Sequence, residues 1–123
     1  MHFLKKHHLS FKNAFAGLFW ALKTQQNFRI HVLLACVALV LSIILKISRG
    51  EFAVVIMTIA FGLGTEMVNT SIEEMTDLIT IEWRKEAKIA KDVAAGMMLT
   101  TAFGAIGVSL IIFLPRLLVL FGF

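Results

Sequence analysis

The length of the uncharged apolar runs most constrains how this chain can fold. Residues 93–114 contain no charged side chain, and residues 32–45 contain neither a charge nor a proline. An 18-residue helix is about 27 Å long, close to the thickness of the hydrocarbon core of a bilayer. With 59% hydrophobic residues and a mean hydropathy of +0.86, a chain of 123 residues has too little interior to hide this surface from water. We therefore expect a single-domain, all-α membrane protein with transmembrane helices at about residues 29–47, 52–79 and 93–114.

A further, amphipathic helix is predicted before the first span. Residues 9–26 place Phe11, Phe15 and Phe19 on one side at helical spacing, while Lys12 and Lys23 interrupt the apolar run. This pattern is typical of a helix that lies in the membrane interface. We expect an amino-terminal interfacial helix, either a simple anchor or a part of the functional site.

The basic residues predict the orientation. Five Lys or Arg lie in residues 1–29 and four in residues 80–92, against two in residues 46–51. The positive-inside tendency then places the amino terminus and residues 80–92 in the cytoplasm. The net charge of +4 is spread over short blocks between apolar runs, which favours contact with anionic lipid and not with nucleic acid. The single cysteine, Cys36, excludes a disulfide within the chain.

The second span carries a narrow polar stripe. At about 100° per residue, Glu66, Asn69, Glu73 and Asp77 fall within an arc of about 80°. Acidic residues at membrane depth are costly and usually mark a functional path. The stripe therefore predicts an active site. The alternatives are hydrogen bonds that only hold helices together in an assembly subunit, or the lining of an ion or proton conductor.

The depths of the two glutamates favour lipid phosphorylation. Glu66 lies about 21 Å from the outer end of its span, where a carboxylate can meet a lipid hydroxyl and act as a general base. Glu73 lies about 10 Å nearer the cytoplasm, where it can hold Mg²⁺ on a nucleotide phosphate. We expect His31, at the start of the first span, to be an interfacial histidine without a ligand role.

These residues resemble those of a known family. The stretch from Glu66 to Glu73 has the pattern E-x-x-N-[ST]-x-x-E, and residues 90–92 are Ala-Lys-Asp. Together they resemble the small prokaryotic diacylglycerol kinases and undecaprenol kinases, over nearly the whole chain. The resemblance implies a homotrimer in the bacterial inner (plasma) membrane that uses Mg²⁺ and ATP to phosphorylate a membrane lipid alcohol.

The resemblance also implies a role for each matching residue. Glu66 would be the general base and Glu73 a metal ligand. The residues that contact ATP would be Asn69, Glu82, Lys91 and Asp92.

One position departs from the family pattern. The family has a second metal-binding glutamate two residues before the Asn-Phe pair, and this chain has Gln25 there. An amide oxygen can coordinate a cation but brings no charge. The stretches Asn27–His31 and Phe113–Pro115 look more like the undecaprenol kinase branch, with diacylglycerol kinase as the alternative.

Overall fold

The computed structural model describes the backbone of residues 2–122 and the side chains of residues 7–122. The elements are α1 (His2–Thr24), α2 (Gln26–Ile44), α3 (Arg49–Ile79), α4 (Lys85–Ile112) and α5 (Leu114–Leu120). No strand occurs in this part of the chain. Three stretches are long and apolar enough to cross a membrane: Gln26–Ile44, Arg49–Ile79 and Lys85–Leu120. The expected all-α membrane fold, with an additional amino-terminal helix, is confirmed.

The distribution of side chains is the reverse of that in a water-soluble protein. Most large apolar side chains of the described residues are exposed, including Phe61, Leu99 and Phe103. Of the buried residues in the described part of the chain, six are polar or charged and six are apolar. Five of the buried polar residues lie on α3: Thr65, Glu66, Asn69, Thr70 and Thr76. The polar side of α3 thus faces the bundle, and the apolar surface around it suits lipid.

Two helix starts differ from the predicted bounds by more than one helical turn. The first helix begins at His2, seven residues before the predicted start at residue 9, and α4 begins at Lys85, eight residues before residue 93. The segment 85–92, KEAKIAKD, is rich in residues with high helix propensity, so it extends the helix beyond the apolar run that defined the prediction. The connection between α3 and α4 shortens to residues 80–84.

The α2–α3 turn and the end of α4 meet at the side of the bundle opposite α1. The Ser48 hydroxyl accepts a hydrogen bond from the Glu51 amide (3.2 Å), and the Ser48 amide donates to Glu51 Oε2 (2.7 Å). Arg116, beside Pro115 in α5, donates to the same carboxylate at 2.8 Å and to the Ile112 carbonyl at 2.7 Å. The capping box stabilises the first turn of α3, and the Arg116–Glu51 ion pair joins that turn to α5.

The lengths of the helices position the site. Because α2 has 19 residues and α3 has 31, their lengths are about 28 Å and about 46 Å. The two helices are antiparallel and share the short turn at residues 45–48. The far end of α3 therefore extends about 18 Å beyond the start of α2. The stripe on α3 runs along this end of the helix, from the depth of the bilayer to the predicted cytoplasmic surface.

Candidate active site

Glu66 is the most enclosed acid of the stripe. Its side chain is 4% exposed, and its Oε2 lies 3.9 Å from Nε2 of His31 on α2. Gly62, one turn before Glu66, lies beside the ring, and a β-carbon there would be at an ordinary contact distance of 3.9 Å from His31 Nδ1. The expected interfacial histidine therefore also lies beside the predicted base, a neighbour that the sequence did not predict. Only the register of α2 on α3 brings the two residues together, and no local pattern in the sequence encodes that register.

Asn69 and Glu73 form a second group one to two turns further along α3. The Asn69 side chain is buried and donates from Nδ2 to Glu73 Oε1 at 3.1 Å, an ordinary i, i+4 contact on a helix. The other amide atom, Asn69 Oδ1, is buried without a hydrogen-bond partner. An unpaired buried acceptor costs free energy unless a ligand or water satisfies it. The arrangement is therefore suited to receiving a cation or a donor group.

Gln25 is the residue immediately before α2, and its height along the bundle can be compared with that of Asn69 and Glu73. It is half-buried, and its Nε2 lies 3.5 Å from Thr24 Oγ1. The residue is six positions before His31, so it lies about 9 Å further toward the end of α3. This height falls between Asn69 and Glu73. From the helical rise alone, the predicted metal positions are therefore expected at similar heights along the bundle.

The donors at this level have the chemistry that Mg²⁺ requires. The Glu73 carboxylate, the unpaired Asn69 Oδ1 and the Gln25 amide are all hard oxygen donors. Within residues 2–122, however, no three His, Cys, Asp or Glu side chains are grouped closely enough to hold a metal by themselves. Mg²⁺ commonly binds through one or two carboxylates together with water and substrate phosphates. The residues therefore fit a magnesium–nucleotide complex better than a permanently bound ion.

Two lysine–aspartate pairs lie beyond Glu73, at the predicted cytoplasmic end. Lys91 Nζ is 2.5 Å from Asp77 Oδ1 and joins α4 to α3, and Lys88 pairs with Asp92 one turn away on α4. Lys91 and Asp92 were predicted to contact ATP, and both are on the rim of the site. The partnership of Lys91 with Asp77 was not predicted, because it depends on contact between two helices and not on the stripe alone.

Glu82 lies apart from this group in the single chain. It is in the 80–84 connection, its side chain is 73% exposed, and it pairs with Arg84 at 3.0 Å. The structure brings together Glu66, Asn69 and Glu73 on α3 and places Lys91 and Asp92 at their cytoplasmic end. It does not bring Glu82 into contact with them.

An apolar groove begins beside the His31–Glu66 pair. Its volume is about 590 Å³, and it lies between α2, α3 and α4, from His31 and Gly62 to Phe113 and Leu117. Thr58 and Thr101 are among its few polar lining residues. Their hydroxyls donate to the carbonyls of Val54 (2.8 Å) and Met97 (3.0 Å). The groove therefore offers a hydrocarbon chain an apolar wall, with a carboxylate near one end.

Comparison with known proteins identifies the family of the chain. The family model of prokaryotic diacylglycerol kinases matches residues 12–113. An undecaprenol kinase of Bacillus subtilis is 35% identical over 108 residues, which cover 88% of each chain. A diacylglycerol kinase of Synechocystis is 36% identical over 111 residues, covering 89% of this chain and 63% of that protein. One of Pseudomonas aeruginosa is 34% identical over 80 residues, 65% of each chain.

The membrane fold, the matched relatives and the intramembrane carboxylate together define a lipid kinase of the membrane. The chain belongs to the prokaryotic diacylglycerol kinase family. This confirms the resemblance found in the sequence. It also favours an enzyme over the assembly subunit and the conductor, which were the alternatives for the acidic stripe.

The Asn69–Glu73 contact generates a prediction about cation binding. Asn69→Asp replaces the Nδ2 donor with a second carboxylate oxygen beside Glu73, so the hydrogen bond is lost and two like charges meet. We expect the variant in detergent with EDTA to be less stable by about 1–3 kcal/mol. Mg²⁺ should raise its thermal unfolding midpoint more than that of the wild type, because a cation offsets the repulsion.

The matched control is Ser71→Asp, which adds a carboxylate at an exposed position of the same helix. An equal response to Mg²⁺ in all three proteins would show that Asn69 and Glu73 do not face a cation site.

Proposed function

We propose that this protein transfers the γ-phosphoryl group of ATP to the hydroxyl of a membrane lipid alcohol, and that undecaprenol is the preferred acceptor. The observation that carries the proposal is the enclosed Glu66 carboxylate near the end of a groove with an apolar lining. A lipid chain in this groove would bring its terminal hydroxyl to a base at the depth of the hydrocarbon. Diacylglycerol is the alternative acceptor.

Glu66 is the group best placed to remove the hydroxyl proton. Its carboxylate lies about 20 Å from the cytoplasmic end of α3, too deep to serve a water-soluble acceptor efficiently. A positioned general base typically contributes about 10²–10⁴-fold to the rate. As the lipid oxygen bonds to the γ-phosphorus and the bond to ADP breaks, the proton passes to Glu66.

Residues nearer the cytoplasm would hold the nucleotide. Glu73, Asn69 Oδ1 and Gln25 would bind Mg²⁺ together with phosphate oxygens, and Lys91 and Asp92 would contact ATP at the rim. When bound, the cation neutralises phosphate charge and favours departure of ADP. Glu82 is proposed as a further ATP contact, which requires the 80–84 connection to approach the site.

The groove lining favours undecaprenol over diacylglycerol. The ester carbonyls of diacylglycerol need hydrogen-bond donors when they leave water, whereas a prenyl chain needs none. Two of the three hydroxyl groups in the lining, those of Thr58 and Thr101, already donate to backbone carbonyls of their own helices. The third, that of Ser109, lies one turn before Phe113, at the end of the groove away from His31. The Bacillus subtilis undecaprenol kinase also aligns over most of both chains.

We further propose a homotrimer in the bacterial plasma membrane, with α1 and the 80–84 connection on the cytoplasmic side. Five Lys or Arg lie in residues 1–29 and four in residues 80–92. A second groove of about 550 Å³ opens between α3 and α4 and is lined in part by the small residues Ala53, Thr100 and Gly104. Such faces allow helices of neighbouring subunits to approach closely. Native mass spectrometry of the active protein in mild detergent should show trimers, and active monomers would contradict the assembly.

The choice of acceptor is tested by direct competition. Purified protein in mixed micelles, with ATP, Mg²⁺ and equal mole fractions of undecaprenol and diacylglycerol, should give undecaprenyl phosphate with a kcat/KM about tenfold or more higher. A higher kcat/KM for diacylglycerol would assign the chain to the other branch. Absence of phosphate transfer to any lipid would contradict the proposed function itself.

The role of Glu66 is tested by Glu66→Gln, which keeps the shape of the side chain and removes the base. We expect phosphoryl transfer to fall by about 10²–10⁴-fold while ATP binding, measured by titration calorimetry, is retained. Glu74→Gln, at an exposed position on the same helix, is the matched control. Near-normal turnover in Glu66→Gln would mean that another group is the base.

The role of position 25 is tested by Gln25→Glu. A carboxylate offsets more of the cation's charge than an amide does, so the variant should need less Mg²⁺ for half-maximal activity and turn over faster. The measurement is a Mg²⁺ titration of lipid kinase activity at fixed ATP. Identical curves for variant and wild type would place residue 25 outside the metal site.

A further inference from the structure

His31 is a polar side chain of the site to which the proposed reaction gives no role. Its ring lies on α2, at the end of the apolar groove, and its side chain is 28% exposed. Among the described residues, the ion pair with His31 is the only one that Glu66 makes. A histidine beside an otherwise apolar wall and a buried carboxylate requires an explanation, because a polar ring there must find a partner.

The distance between the two groups suggests what that partner is. His31 Nε2 and Glu66 Oε2 are 3.9 Å apart, which is too far for a direct hydrogen bond of about 2.7–3.2 Å. A single oxygen atom placed to one side of the line between them can be about 2.8 Å from both. The gap thus has the dimensions of one hydroxyl group that contacts both residues.

We propose that His31 is a catalytic residue that holds the hydroxyl of the lipid acceptor against Glu66. The inference rests on the proposed function and adds a second contact to the same site. The Nε2–H group donates to one lone pair of the hydroxyl oxygen, and the hydroxyl proton points to Glu66 Oε2. The other lone pair remains free to face the γ-phosphoryl group.

This arrangement keeps the reaction balanced. The lipid oxygen forms the new bond to the γ-phosphorus, and the bond between that phosphorus and the bridging oxygen breaks with its electron pair going to ADP. The hydroxyl proton goes to Glu66, and His31 keeps its own proton throughout. His31 therefore orients the acceptor and does not replace Glu66 as the base.

The groove explains why such a contact matters. Its walls are apolar over most of their length and would let a hydrocarbon chain slide along its own axis. A fixed donor opposite Glu66 sets where the chain stops, so the hydroxyl remains at the reacting position. Gly62 contributes by leaving the ring free of a neighbouring side chain on that face of α3.

The test compares three replacements of His31. His31→Gln keeps a side-chain donor, His31→Leu removes it, and His31→Phe removes it while keeping a ring. Leu33→Ala, at an outward-facing residue of the same helix that is 64% exposed, is the control. Each protein is assayed with ATP and a water-dispersible short-chain prenol, and kcat and KM are measured for both substrates.

We expect His31→Leu and His31→Phe to lower kcat/KM for the prenol by about 10–100-fold, the loss of one or two good hydrogen bonds. The KM for ATP should stay within about twofold of wild type in these variants. In His31→Gln, kcat/KM for the prenol should stay within about tenfold of wild type, because the donor is preserved. As an equilibrium measurement, the prenol should bind wild type more tightly than the alkane of equal length. This preference should disappear in the Leu and Phe variants.

The inference is overturned if the Leu and Phe variants match Leu33→Ala in kcat/KM for the prenol. It is equally overturned if all three His31 variants lose affinity for ATP and lipid alike, which would indicate a structural role. Such results leave the proposed function intact as long as wild type phosphorylates the lipid and Glu66→Gln does not. If wild type and Glu66→Gln phosphorylated the lipid equally well, or neither did, the proposed function itself would be contradicted.

Discussion

Glu66 places a carboxylate at the predicted depth of the hydrocarbon core, where it must be shielded from lipid. The cost of a charge at membrane depth is several kcal/mol, so the helix that carries it must turn that side toward other protein or water. The polar residues of α3 accordingly face the bundle, and Glu66 is 3% exposed. Two neighbouring helices contribute to this burial: α2 brings His31 beside Glu66, and α4 packs along α3.

The same constraint gives the stripe its gradient of solvation. Glu66 is enclosed, Glu73 is half-buried and Asp77 is exposed, so the acids pass from hydrocarbon depth to water within three turns of one helix. A lipid hydroxyl and a nucleotide phosphate belong to different phases, and an enzyme that joins them needs groups at both depths. A helix of 31 residues, longer than the hydrocarbon core requires, provides them on one face.

The sequence predicted what is encoded within single helices. Apolar run length gave the spans, and the spacing of Glu66, Asn69 and Glu73 gave the polar face, since both follow from 3.6 residues per turn. The third span was predicted to begin only at residue 93 because the first two turns of α4 are polar, and hydropathy cannot distinguish a polar helix from a loop. The Lys91–Asp77 pair and the His31–Glu66 approach were missed because each depends on the register between two helices.

That register is determined far from the site. The turn at residues 45–48 is short, with Lys46 at a positive φ of 48° and the Ile47 amide bonded to the Ser42 carbonyl, so α2 has little freedom to slide along α3. The Ser48–Glu51 capping box fixes where α3 begins, and Arg116 fastens α5 to the same carboxylate. His31 lies in α2 and Gln25 is its N-cap residue, so a shift of α2 along α3 would move both. A slip of one helical turn, about 5.4 Å, would take His31 from Glu66 and Gln25 from the level of Glu73 at once. The proposed acceptor end and the proposed nucleotide end of the site would therefore be aligned by a single geometric constraint at the other end of the bundle.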